Sequence, residues 1–437
     1  HIVIADQATD ESASKVVSDH NIAAHVGNAP GRAAPARQHG AIATEPRRVR
    51  RGIKLRAAEQ HGAPPVPQQL DWLRILRCQS IPPAMSPSIA SPVQRVCILR
   101  LSALGDVTHI VPLVYALRAA IPAIEITWIC GPGEAKLLEG LPGVRLCVYR
   151  KNEGFSGMRK LWRELMDTEF DALLLMQLAL RANVLSLGLR AKRRIGYDRA
   201  RSKEGHTFFI NERIAEHPRG HVLDTLAHFV EPLGIARPAV QIWSIPIPDD
   251  ALSFAAQHLP DGERYLGISP CSSHTLRNWR AERYAAVADA AFERFGLRTV
   301  LLGGRSALEA RMRDAILGAM HHRDQAIDLV GKDTLKQLLA LLQRLTVLVA
   351  PDSGPVHIAN TVGTPVVGLY AATDATRSGP YGNSQWCVNR YTEVAARFYN
   401  TTPERLPWGK RLEREGVMDL ITVDDVLERL EAVATRS

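Results

Sequence analysis

From residue 93 onward the chain repeats one grammar: a continuous apolar run of strand length, a helical pattern, then another apolar run. "RVCILRL" (95–101), "IEITWIC" (124–130), "VRLCVY" (144–149) and "DALLLMQ" (171–177) alternate with segments such as "THIVPLVYALRAAI" and "GMRKLWRELM". Runs without polar alternation need cover on both faces, which a largely parallel sheet between helices provides. The grammar breaks at "EPLGIARPAVQIWSIPIPDD" (231–250), where Pro232, Pro238, Pro246 and Pro248 interrupt both periods. It resumes with "YLGISP" (265–270), "RTVLLGG" (298–304), "AIDLVG" (326–331), "LTVLVAPDSG" (345–354) and "PVVGLYA" (365–371). The expectation is an α/β protein of two Rossmann-like domains facing a central cleft: an N-terminal domain over 93–240, a linker over 241–262 and a C-terminal domain over 263–437. Ligands in such sheets bind beyond the carboxyl ends of the strands. A last amphipathic helix in "TVDDVLERLEAVATR", with Thr422 as its cap, either completes the second domain or crosses back to the first.

Residues 1–84 have another texture, with clusters such as "APARQHG", "EPRRVRRGIKLR" and "GAPPVPQQ" and little periodicity. They read as a disordered or non-native extension, with translation expected to start naturally near Met85, the first methionine. The 46% apolar composition suits two or three cored domains. A net charge of +9 favours an anionic partner such as nucleotide, phospholipid or nucleic acid. Six cysteines without a CxxC pair suggest a reducing compartment and no zinc site. The best membrane-span candidate, 171–190, contains Asp171, Gln177, Arg181 and Asn183, too many costly groups for a spanning helix.

Four stretches can carry chemistry. In "APDSGPVHIANTVGTPVVGLYAATD" (350–374) a strand ends at Ala350, Gly354 permits close backbone approach and Pro355 suits the start of a helix. Free N–H groups and the positive end of the helix dipole there accept a diphosphate, with His357 as a further donor. An ordinary turn capped by Asp352 or Ser353, with His357 packed beneath it, fits the same residues. In "LSALGDVTHIVP" (101–112), Asp106 is either an N-cap or a cleft-facing carboxylate able to take a proton from an acceptor hydroxyl, with Gly105 leaving space for a substrate. In "ISPCSSHTLRNWRAERY" (268–284), Ser272, Ser273 and Arg277 can cradle phosphate oxygens. In "LLGGRSALEARM" (301–312), Glu309 either holds a ribose or faces solvent. The basic run 190–206, with Lys192, Arg193 and Arg194, reads as a solvated surface or a seat for an anionic lipid or saccharide headgroup. With few interleaved aromatics it makes a poor nucleic-acid platform.

In sequence and spacing, "ILRLSALGDVTHIVPLVYALR", "SPCSSHTLRNWRAERY", "VGKDTLKQLLALLQ" and "APDSGPVHIANTVGTPVVGLYAATDATRSGPYG" resemble the lipopolysaccharide heptosyltransferases of glycosyltransferase family nine, over roughly 93–435. The tail "LPWGKRLEREGVMDLITVDDV" resembles the heptosyltransferase I branch, which adds the first heptose of the inner core. The resemblance implies the GT-B fold and an inverting, metal-independent transfer of heptose from ADP-L-glycero-D-manno-heptose to a Kdo residue of lipid A-Kdo, with no cofactor. It implies a cytoplasmic enzyme peripheral to the inner membrane, with no nucleic-acid partner. Asp106 falls at the family's general base. Ser272, Ser273, Arg277, Glu309, Asp352, Ser353, Gly354 and His357 fall at its nucleotide-sugar site, and Lys192, Arg193 and Arg194 are expected to meet the acceptor. Relatives commonly have Lys and Thr where this chain reads S-S-H-T-L-R. A transferase of a later heptose or of another nucleotide sugar, and a catalytically silent sugar-nucleotide binder, remain open.

Overall fold

A computed structural model describes residues 93–239 and 241–435; the expectations for residues 1–84 and Met85 lie outside the described residues. Strands β1 (Arg95–Leu99), β2 (Glu125–Cys130), β3 (Val144–Val148), β4 (Glu169–Leu175), β5 (Arg190–Gly196) and β6 (Glu212–Arg213) form one sheet in the order β3-β2-β1-β4-β5-β6. Helices α1 (Leu104–Thr108), α2 (Val111–Ala120), α3 (Pro132–Leu138), α4 (Gly154–Glu164), α5 (Leu180–Ser186) and α6 (Val222–Ala227) connect and follow these strands. After α7 (Asp249–His258) come β7 (Arg264–Ile268), β8 (Leu297–Leu301), β9 (Ile327–Asp328), β10 (Val347–Pro351), β11 (Val366–Tyr370) and β12 (Val388–Asn389), in the order β12-β11-β10-β7-β8-β9. Their helices are α8 (Ala281–Phe295), α9 (Ala307–Ala319), α10 (Leu335–Gln343), α11 (Gly354–Thr361), α12 (Ala375–Ser378), α13 (Tyr391–Tyr399) and α14 (Val423–Ala434). Every strand pair is parallel, giving the two Rossmann-like sheets of a GT-B fold.

The strand runs are apolar throughout because each sheet is covered on both faces. Val96 and Ile98 of β1 face one side, and Cys97 and Leu99 the other. In the second sheet Leu348 and Ala350 face one side, and Val347 and Val349 the other. The Val96/Ile98 and Leu348/Ala350 faces belong to one continuous apolar cluster that runs from the first sheet through α7 to α10 and α11.

Local signals set the helix boundaries. Ser306 with Glu309, Thr334 with Gln337 and Thr422 with Asp425 form reciprocal capping boxes at α9, α10 and α14, each worth about 1 kcal/mol. Thr422 is thus the cap expected of it, and α14 packs on α8 and on β10–β12, completing the second sheet's half. Two segments differ from the sequence reading. The basic run contains β5, and the stretch expected as linker contains α7.

Candidate active site

Numbered within each sheet, both orders are 3-2-1-4-5-6, so strand direction of travel reverses between β1 and β4 and between β7 and β10. Crevices open beyond the strand ends at such reversals. Asp106 and Gln177 follow β1 and β4; Ser272, Ser273, Arg277, Asp352 and Ser353 follow β7 and β10.

On the first wall, Gln177 Oε1 accepts from the Leu101 and Ser102 N–H groups at 2.7 and 3.3 Å, tying the loop after β1 to the end of β4. Arg100 donates to Ser102 O (2.8 Å) and Met176 O (2.5 Å), and its Nη2 pairs with Asp106 Oδ2 at 2.5 Å. Asp106 Oδ2 also accepts from the Ala103 N–H at 3.2 Å. Asp106 therefore folds back on the residue before α1, and does so through one oxygen; Ala103, at the N-cap position, has no side-chain acceptor of its own. Oδ1 has no hydrogen-bond partner among the described residues, and the side chain lines the cleft. Burial disfavours the charged carboxylate, but the Arg100 guanidinium and the Ala103 N–H more than offset it and hold its pKa below the usual value.

The second wall is built differently. Ser353 occupies the N-cap position of α11 with extended backbone, yet its side chain makes no cap bond and its buried hydroxyl has no partner among the described residues. The first N–H groups of α11 thus lack a side-chain acceptor. Gly354 faces Leu104 of the first wall, to which a Cβ there would lie at 3.5 Å. Arg277 is buried; its Nη2 donates to Ser273 Oγ at 2.8 Å, its Nε lies 3.2 Å from Glu413 Oε1, and its Nη1 lies 3.8 Å from Asp352 Oδ2. Ser272 is spent on its own turn, donating through Oγ to His274 O at 2.8 Å. Burial opposes ionisation of Asp352, while His357, Thr373 and Arg277 together keep its pKa below the ordinary carboxylate value. Glu309 accepts from Gly304 N (2.7 Å) through Oε1 and from Ser306 Oγ (2.7 Å) through Oε2, so it shapes the loop after β8. Beside it Asp333, which follows that loop's neighbour β9, is pushed up to about 6, chiefly by burial.

The walls meet at a histidine seam. His357 lies edge-on to His109 with ring centroids 4.8 Å apart, and His109 meets His221 at 5.3 Å. A Cβ on Gly105 would come within 2.3 Å of His357 Cδ2, so only glycine allows α1 and α11 to approach this closely. The space beside Gly105, expected for substrate, is filled by the His357 imidazole. His357 Nε2 points to Asp352 Oδ1 at 3.9 Å. On another side, Lys336 of α10 donates to Glu139 O at the end of α3 (2.8 Å) and to Pro246 O (2.6 Å), and burial lowers its pKa to about 8. The Arg219 and Arg377 guanidinium groups each lie 5.9 Å from the Trp408 ring.

Together these residues line a cleft of about 2100 Å³. Sites for one small ligand run about 300–1,000 Å³, so there is room for two substrates. The chemistry available is a carboxylate with one free oxygen on one side and, opposite it, N–H groups, a guanidinium and further cations (Arg305, Arg377, Arg411) suited to a polyanion. Among the described residues, no group of three or more His, Cys, Asp or Glu is arranged to hold a metal ion.

Lys192, Arg193 and Arg194 do not reach the cleft. They belong to β5, where Lys192 pairs with Asp171 at 2.9 Å, Arg193 forks onto Glu212 and donates to Pro232 O, and Arg194 donates to Ser186 O and Phe209 O. Sequence reasoning missed Arg100, Gln177, Lys336 and Arg377. A lone cation closing an apolar strand was the available signal for Arg100, and Arg377 sits unremarked inside "TDATRSGPYG".

Comparison with known proteins gives one consistent picture. The family described as glycosyltransferase family 9 (heptosyltransferase) matches residues 158–406. The chain is 38% identical to the lipopolysaccharide core heptosyltransferase OpsX of Haemophilus influenzae, over 79% of this chain and 98% of that protein. It is 24% identical to lipopolysaccharide heptosyltransferase 1 of Escherichia coli, over 67% and 92% of the two chains. Among solved structures, a family 9 glycosyltransferase from Veillonella parvula aligns with a TM-score of 0.67 at 23% identity, over 80% and 100% of the chains. The E. coli heptosyltransferase WaaC with ADP aligns with a TM-score of 0.62 at 18% identity, over 78% and 100%.

Proposed function

The chain belongs to glycosyltransferase family 9, the heptosyltransferases, and from that premise we propose that it transfers heptose from ADP-L-glycero-D-manno-heptose to a Kdo residue of lipid A-Kdo, adding the first heptose of the lipopolysaccharide core. The observation that carries this reading is the opposition of Asp106, with Oδ1 free, to the uncapped start of α11 and the buried Arg277 across one cleft. The solved WaaC structures contain ADP and ADP-2-deoxy-2-fluoro heptose, which supports an ADP-sugar as donor here.

In this reaction Asp106 accepts the proton of the attacking hydroxyl as the anomeric C–O bond to ADP breaks, giving inversion. The ADP oxygens gain charge as that bond breaks. Arg277, Ser273 and the N–H groups that begin α11 stabilise them with donors already in place. Ser353 Oγ, buried and without a partner among the described residues, is a further donor to that anion. Asp352 positions Arg277 and His357; Glu309 and Ser272 hold the loops that shape the nucleotide pocket. The carboxylate of an acidic acceptor sugar meets Arg377, Lys410 and Arg411, which line the cleft, rather than the cations of β5.

The test is an assay of ADP-heptose, UDP-sugars and GDP-sugars against lipid A-Kdo and against the same acceptor already carrying heptose. Transfer from ADP-heptose to lipid A-Kdo is expected. Transfer only to the heptose-bearing acceptor would make this a later-acting enzyme, and transfer only from another nucleotide would overturn the donor.

A further inference from the structure

Among the large apolar side chains of the first sheet's half that stand in solvent are Phe155 (61% exposed), Leu180 (53%), Leu187 (61%) and Phe208 (89%). Scattered singly, such residues need no explanation, but these are joined. Phe155 and Trp162, on α4, meet edge to face at 5.6 Å. Trp162 Nε1 donates to Leu185 O of α5 at 2.8 Å, and the indole packs on Gly188, next to Leu187. Glu204 accepts from the Leu180 N–H at 2.6 Å, and His206 meets Asn183 at 2.9 Å, which fixes the turn His206–Phe209 against α5.

The outward face of α4 mixes two chemistries. Met158 and Leu161 point inward, while Phe155 and Arg159 stand outward with the half-buried Trp162 between them and α5, and Met166 is exposed just beyond the helix end. Arg159, Lys160 and Arg163 are exposed and form no ion pair among the described residues, unlike the paired cations of β5. Apolar side chains set among free cations in a surface helix are the composition of a segment that lies in the interface of an anionic bilayer. The face also adjoins the cleft: Leu178 and Ala179, directly before α5, and Lys203, directly before Glu204, line it. No helix among the described residues is long and apolar enough to cross a membrane.

We propose that α4, α5 and the turn His206–Phe209 form a docking face for an anionic lipid bilayer, which sets the cleft mouth against the membrane. The proposal rests on the reading of a lipid-anchored acceptor, and it assigns the contact to residues other than Lys192, Arg193 and Arg194, the cations first suspected. Its test is flotation of the full chain with phosphatidylethanolamine–phosphatidylglycerol vesicles and with phosphatidylcholine vesicles. Binding to the anionic vesicles is expected, weakened by salt and weak on phosphatidylcholine. The pairs Phe155→Ser with Phe208→Ser, and Arg159→Ala with Lys160→Ala, each lower vesicle affinity by about tenfold or more. Both variants keep the wild-type transfer rate on a water-soluble acceptor, which shows that they fold. Equal binding to both vesicles, or variants that bind as wild type, overturns the proposal. So does a chain that is dimeric in solution and becomes monomeric in the Phe155→Ser variant with vesicle binding unchanged, since a second copy then covers the face. Vesicle binding without transfer to any Kdo acceptor would overturn the acceptor reading and leave the docking face standing; transfer without vesicle binding would do the reverse.

Discussion

The two walls of the cleft follow the same strand order and end in the same kind of strand-to-helix turn, yet they treat the turn in opposite ways. On the first wall the third residue of the helix folds back: Asp106 accepts from the Ala103 N–H and is pinned by Arg100. On the second, Ser353 sits at the capping position and its hydroxyl caps nothing. The first turn therefore presents a carboxylate held by a cation, and the second presents uncommitted donors. One topology used twice therefore yields a proton acceptor facing an anion seat.

The sharpest way to break this contrast is Asp106→Asn, which preserves the cap and removes the base. Turnover should fall on the order of a hundredfold or more, with ADP affinity by calorimetry near wild type. Unchanged turnover would move the base elsewhere, whereas ADP binding without transfer by the wild type would mark the protein as a silent binder. On the opposite wall, Arg277→Ala should weaken ADP binding by roughly tenfold or more, the scale of a lost charge-assisted hydrogen bond, and equal ADP affinity would remove the anion seat from this turn. The smallest expected effect is in pH. Because Arg100 holds the Asp106 pKa down, the base stays ionised at acid pH, and the acid limb of kcat/KM should lie below the ordinary carboxylate range. Arg100→Met should move that limb upward by about one pH unit; a limb that stays put would show that Asp106 is not the group it reports.

Much of this was legible in the sequence, for a physical reason. Strands buried on both faces are apolar throughout, and residues that follow such strands at the order reversals lie beside a crevice, so Asp106, Arg277, Asp352 and His357 could be singled out as candidates, while the choice between cap and ligand contact came from the family resemblance. β5 escaped because its consecutive cations Lys192 and Arg193 are neutralised by partners distant in sequence, Asp171 and Glu212, which makes a strand look like a solvated run. β9 is only Ile327–Asp328, since it pairs only with the end of β8. Gly105 was read as an opening because nothing in the chain announces that His357, from the other half, fills it. Glu309 was read as ligand-facing or solvent-facing, whereas its capping partner Ser306 lies three residues before it and was in plain view.

The apolar cluster that passes beneath both sheets bears on how the molecule comes apart. Val96 and Ile98 share it with Leu348, Val356 and Ile358, so cutting the chain between the sheets would expose the interior of each piece. The halves are joined as one cooperative unit: calorimetry should record a single melting transition, and neither half should hold its shape when expressed alone.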